Sequence, residues 1–199
     1  MRSDSHIAIV RGTVDSVPAV LEILDTTVEW LVSHGRSGQW GEAPFSQNPK
    51  RADQLREFAT TGQGLWLAIK VDDTASPNEA SDSQAPAAMH GNSISGVIVG
   101  ALAVGEKMPY VTPVSEPELY VRLLATDRQW AGRGIGTRLL EHARLLARQA
   151  EVSLLRVDCY AGNDGKLVRY YESQGFERSE SLILQETWPC QVLAQRLEA

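Results

Sequence analysis

Gly132, Gly134 and Gly136 alternate just before a run in which Leu139, Leu140, Ala143, Leu146 and Ala147 recur at helical spacing. Glycine lets a backbone approach a ligand closely, and the first N–H groups of a helix have no partner within it. Those donors, together with the helix dipole, favour an anion such as a phosphate or pyrophosphate. The same glycines also suit a tight strand-to-helix turn with no ligand at all, so their context has to decide between the two. The dinucleotide fingerprint GxGxxG lacks its third glycine here and would lie two-thirds along the chain instead of near its start. A phosphate-binding P-loop fails as well, because Gly165 and Lys166 are followed by Leu167 and no upstream glycine is correctly spaced.

Composition narrows the possible partners. The 199 residues carry 19 Lys and Arg against 25 Asp and Glu, a net charge of -6, with a pI near 5.3. That is the wrong sign for a protein that grips nucleic-acid phosphates by charge. No stretch of about 18 apolar residues reads as a membrane span, and the start, MRSDSHIAIVRG, has no apolar signal core. Cys159 and Cys190 are the only cysteines and show no metal-ligand spacing, so a cytoplasmic protein without a disulfide framework or metal is expected. With 43% hydrophobic residues the chain has enough to form one core, and residues 1–199 are expected to form a single domain.

The elements that must hold the glycine turn follow from periodicity. HIAIVRG reads as a strand, and Val20, Leu21, Leu24, Val28, Leu31 and Val32 as one face of a helix reaching Ser33. A loop containing Trp40 and Phe45 leads to a helix over Lys50 to Thr60. GLWLAIKV and GVIVGALAV read as paired strands. The segment between them, 72–94, has four acidic residues, two prolines and little to bury, which predicts a flexible excursion. ELYVRLLAT is a strand that runs into the glycine turn and its helix. SLLRVDCY, a helix from about Asp164 to Gln174 closed by Gly175, and strands around Ser181 and Val192 complete the order.

Two separated motifs give this order a specific resemblance. AGRGIGTRLLEHA resembles the acyl-CoA-binding turn of the GNAT superfamily of acetyltransferases, Gln or Arg, two residues, Gly, one residue, then Gly or Ala, except that Ala131 stands at the first position. RVDCYAGNDGKLVRYYESQGFE is similar to the family's strand, Asn, helix and Tyr-Glu-x-x-Gly-Phe run. The resemblance implies an α+β fold with a mixed, mostly antiparallel sheet of six to seven strands flanked by about four helices. It also implies acetyl transfer from acetyl-CoA to a primary amine by direct attack, with no metal.

Carried over residue by residue, the resemblance makes Tyr171 the general acid that protonates the coenzyme A sulfur. It assigns Leu124, Ala125 and Thr126 to the pantetheine arm by backbone pairing, and Gly132, Arg133, Gly134, Ile135, Gly136 and Thr137 to the pyrophosphate. Asn163 falls to the cofactor arm, although an Asn there would also serve as a helix N-cap. For the base that takes the amine proton, strand alternation puts Glu118, Tyr120 and Arg122 on one face, which favours Glu118, with Asp158 on the neighbouring strand as a second candidate. Packing the helix on the sheet is the competing role for Tyr171, and solvation at a strand start the competing role for Glu118. Trp40 and Phe45 either wall the acceptor pocket or anchor their loop. His34, His90 and His142 have no partner identifiable from the sequence. A small-molecule amine acceptor and a monomer or homodimer are expected, the alternative being a non-catalytic acyl-CoA-binding sensor of the same fold.

Overall fold

The computed structural model describes residues 6–61, 64–71 and 96–198. The predicted excursion and His90 lie outside them. Seven strands form one sheet: β1 (Ile7–Arg11), β2 (Gly64–Val71), β3 (Gly96–Gly105), β4 (Glu118–Thr126), β5 (Leu154–Tyr160), β6 (Glu177–Leu184) and β7 (Trp188–Arg196). Their spatial order is β1-β2-β3-β4-β5-β7-β6, and β4 and β5 are the one parallel pair. Helices α1 (Val17–Ser33) and α2 (Pro49–Thr60) cover one face, and α3 (Ile135–Gln149) and α4 (Lys166–Ser173) the other.

Both faces are dry because the strand alternation supplies apolar groups in both directions. On the α1/α2 side Val20, Leu24 and Val28 pack on Leu65, Leu67 and Ala101. On the α3/α4 side Leu139, Leu140 and Ala143 pack on Val99, Leu102 and Leu155. The glycine turn and its helix follow the expected strand directly. Helix α4 begins at Lys166, two residues later than predicted, because Asn163, Asp164 and Gly165 all have positive φ (53°, 61° and 65°) and cannot continue a right-handed helix.

Two irregularities in β4 decide where a site can form. Val121 pairs with Val104 and Leu123 with Ala103, so Arg122 is an extra residue, a bulge. Alternation therefore shifts: Val121 and Leu124 both belong to the α3/α4 core, whereas Leu123 and Ala125 face α1 and α2. The parallel ladder between β4 and β5 also runs only from Glu118–Leu154 to Val121–Val157. Beyond it β4 continues to pair with β3 as far as Thr126, and β5 with β7 as far as Tyr160. The sheet thus opens between two strands that remain firmly held on their outer sides.

Candidate active site

The opening is the floor of a cleft of about 1010 Å³. One edge of its floor is β4 from Arg122 to Thr126, whose backbone there has no β5 neighbour, and the other is Asp158 to Tyr160. An unpaired strand edge in a cleft is a template for an extended ligand carrying amides.

At the end of that edge comes the glycine turn. Gly132 (φ 77°) and Gly134 (φ 71°) occupy the left-handed region, which a side chain disfavours, and Gly134 is the N-cap of α3. The first α3 bond runs from the Arg138 N–H to the Gly134 carbonyl at 3.0 Å, so the Ile135, Gly136 and Thr137 amides stand ahead of it at the cleft wall. Gly136 serves a different purpose from its two neighbours. A Cβ there would collide with Tyr170 Oη, so its bareness lets α4 approach the turn.

Tyr171 is 5% exposed and lines the same cleft. Its ring meets Tyr170 and Phe176 edge-on, at 5.3 and 5.8 Å between centroids, and its hydroxyl forms no hydrogen bond among the described residues. Burial, reinforced by Cys159, Tyr170 and Asp158, raises its pKa well above the ordinary phenol value. The group therefore keeps its proton at neutral and moderately alkaline pH, as a proton donor must.

The opposite half of the cleft is aromatic. Trp40 and Phe45 are in edge contact at 5.1 Å, and Tyr160 and Trp188 lie 5.3 Å apart. The Trp188 Nε1 donates to the Gln39 carbonyl at 2.9 Å, which ties the Trp40 loop to the last hairpin. Here Asp158 accepts hydrogen bonds from Tyr120 (2.8 Å) and Tyr110 (3.0 Å). Tyr110 and Met108 come from the connection between β3 and β4 and line the cleft. That connection is clamped from below: Arg156 donates to the Thr112 carbonyl at 3.1 Å, and the Thr112 N–H and hydroxyl donate to Glu180.

Among the residues picked from sequence, Leu124, Ala125, Thr126, Gly132, Gly134, Ile135, Gly136, Thr137, Tyr171, Trp40 and Phe45 share this cleft. Three do not line it. Glu118 sits at the closed end of the β4–β5 ladder, its carboxylate 2.9 Å from the Arg156 guanidinium in a largely buried ion pair. The alternation that favoured it is correct, but the strand places its start away from the split. Arg133 turns its guanidinium over the Trp130 ring, 4.5 Å from the centroid. Asn163 lies outside the wall and does not cap α4, whose N-cap is Gly165. His34 stacks on Trp30 and His142 packs on Trp66, both away from the cleft.

Residues not assigned from sequence complete the wall. Arg128 is prominent among them, its guanidinium 3.6 Å from the Trp30 ring centroid and its Nε buried without a partner. Burial, with Arg36 nearby, lowers its pKa. Its place right after β4 was a hint, but an Arg there reads equally as a solvated loop residue. Tyr110 and Trp188 gave no periodic signal, since both are brought in by packing between distant segments.

Comparisons with known proteins agree with the layout. Residues 88–178 match the family model described as an acetyltransferase (GNAT) domain. A segment of 62 residues is 36% identical to the uncharacterized N-acetyltransferase YesJ of Bacillus subtilis, covering 31% of this chain and 34% of that protein, so the match spans about a third of this curated relative. The fold is shared with the PaiA N-acetyltransferase of Thermoplasma acidophilum solved with coenzyme A, at TM-score 0.63 and 12% identity over 96% of this chain and 99% of that one. It is also shared with a ribosomal-protein-alanine N-acetyltransferase of Brucella melitensis, at TM-score 0.61 and 19% identity over 96% and 99% of the two chains. No helix among the described residues is long and apolar enough to cross a membrane.

Proposed function

We propose that the chain is an acetyltransferase of the GNAT superfamily, whose family model matches residues 88–178, and that it transfers an acetyl group from acetyl-CoA to the primary amine of a small molecule. The observation that carries the proposal is the convergence in one cleft of an unpaired β4 edge, a helix start with free amides and a protonated tyrosine. Acetyl-CoA brings the activated acyl group as a thioester. The cleft fits it: a bare strand edge for the amides of its arm, and a dipole-positive turn for its pyrophosphate. Arg128, on the wall of the same cleft, is a cation that could serve where Ala131 provides none.

The residues divide the chemistry between them. The backbone of Leu124 to Thr126 and the amides of Ile135 to Thr137 hold the donor and aim its carbonyl across the split, which is the orientation term of catalysis. On the acceptor side Asp158 attracts the ammonium and takes the proton that the amine must lose, directly or through water. Asp158 is assigned here in place of Glu118, whose carboxylate is committed to Arg156. As the amine nitrogen bonds to the acyl carbon, the carbon–sulfur bond breaks and the Tyr171 hydroxyl delivers its proton to sulfur. Trp40, Phe45 and Trp188 exclude water around the acceptor and bind its apolar part.

A monomer or homodimer is the proposed assembly. Two buried, unbridged thiols support a cytoplasmic setting. The test is to incubate the protein with acetyl-CoA and a panel of amines while following free thiol. Amine-dependent thiol release supports the assignment. Coenzyme A binding with no release for any amine would instead favour a non-catalytic acyl-CoA sensor.

A further inference from the structure

The acceptor half of the cleft has an uneven set of charges. Besides Arg128, which is stacked on Trp30, three charged side chains line the cleft: Asp158, Arg122 and Arg51. Arg122 is already engaged, 3.9 Å from the Glu57 carboxylate with its guanidinium 4.6 Å from the Phe58 ring centroid. Asp158 is fixed by two tyrosine hydroxyls at the split, beside the reacting centre. Arg51, on the first turn of α2, makes only a long bond to Gln54 Oε1 at 3.4 Å and lies 5.0 Å over the Phe45 ring. Among the described residues no carboxylate lies within ion-pair distance of it.

Arg51 and Asp158 also bear on one group from opposite directions. The Tyr110 phenol donates to Asp158, and the positive charge of Arg51 opposes the rise in its pKa that burial and Asp158 cause. A cation without a counter-ion, an aromatic floor and an acid at the chemical centre therefore stand around the same small volume. A guanidinium on a cleft wall is suited to a planar anion, which it binds by two parallel hydrogen bonds. An ammonium suits the carboxylate at the split.

We infer that the acceptor is a zwitterion, a small amine with an apolar body and a carboxylate or similar anionic group a few bonds from its nitrogen, which Arg51 binds while Asp158 receives the amine. The inference rests on the acetyltransferase reading and narrows its substrate class to molecules of the amino-acid kind. The guanidinium over Phe45 then serves two purposes: it caps the aromatic wall and presents its N–H fork to the anion. Specificity in this arrangement comes from the anion, which forms a charge-assisted pair with the exposed Arg51 that an acceptor lacking it does not make.

Thiol release from acetyl-CoA would be measured with L-phenylalanine, L-phenylalaninamide and 2-phenylethylamine, and with L-methionine and L-methioninamide, for the wild type, Arg51→Gln and Arg51→Lys. At least one free acid should exceed its amide by about tenfold or more in kcat/KM, the size expected of a charge-assisted pair. Arg51→Gln should abolish that preference through KM with kcat little changed, and Arg51→Lys should restore part of it, while coenzyme A binding stays the same in all three proteins. Amides or plain amines matching the acids in the wild type, or an acid preference that survives Arg51→Gln, would overturn the inference and leave acetyl transfer standing. No thiol release with any compound would overturn both.

Discussion

Replacing Tyr171 by Phe removes one oxygen and keeps the ring, and the surroundings of that oxygen set the expected result. The hydroxyl makes no hydrogen bond among the described residues, so its loss leaves no buried partner unsatisfied. The edge contacts to Tyr170 and Phe176 belong to the ring and survive. Stability should therefore change by no more than about 0.5 kcal/mol, the scatter of substitutions that disturb no special feature. Catalysis should suffer far more. A positioned general acid contributes roughly 10²- to 10⁴-fold, or about 2.7 to 5.4 kcal/mol at 1.36 kcal/mol per factor of ten. Because the proton is needed only as charge develops on sulfur, the loss should fall on kcat and leave KM for acetyl-CoA close to its original value. The assay is thiol release under saturating acetyl-CoA, run beside thermal unfolding of the same preparations with and without coenzyme A. If kcat stays within twofold of the wild type, the tyrosine is a packing residue. If kcat and melting temperature fall together, the argument from the unpartnered hydroxyl is wrong.

Three further outcomes are expected. Gly136→Ala should lose about 1 to 3 kcal/mol in denaturant unfolding by overpacking against Tyr170 Oη, and Tyr170→Phe added to it should recover part of that loss, since the clash is with the hydroxyl; no recovery would place the strain elsewhere. Glu180→Ala should cost about 1 to 3 kcal/mol, less than breaking an isolated buried pair because Glu118 still faces Arg156, and should raise KM for the amine more than for acetyl-CoA by freeing the Thr112 clamp below Tyr110; equal changes in both KM values would argue against the clamp. Stability should decline in alkali, because burial pushes the Cys159 thiol up to about 12 and raises the Tyr120 phenol too, so the folded state holds protons that the unfolded chain releases; denaturant midpoints should be flat below about pH 8 and fall from about pH 9 to 12, and a midpoint rising over that range would contradict the sign.

Much of the half of the cleft proposed for the donor was legible in the sequence, because it is written in contiguous backbone. A glycine turn, the helix it starts and the strand before it are local features, and backbone N–H groups bind an anion whatever side chains surround them. Tyr171 was found through the second motif, and its neighbour Tyr170 was not, because only the approach of α4 to Gly136 gives it a place. Strand alternation correctly paired Glu118 with Tyr120 on one face but carried no information on where β4 and β5 part. That point depends on the register between strands 36 residues apart (Glu118 with Leu154), on the extra residue at Arg122 and on β7 holding β5 from its far side. Once it is known, Glu118 moves to a buried ion pair and Asp158 to the split. The acceptor half was harder still, because Arg51, Tyr110, Asp158 and Trp188 come from four distant segments whose only common property is the cleft they share. Sequence by itself determined the elements, the glycine turn and the two motifs, all of which depend on neighbours along the chain. The tertiary structure decided which side chains meet across the gap, because that choice is made by packing between elements and by a strand pair that stops short.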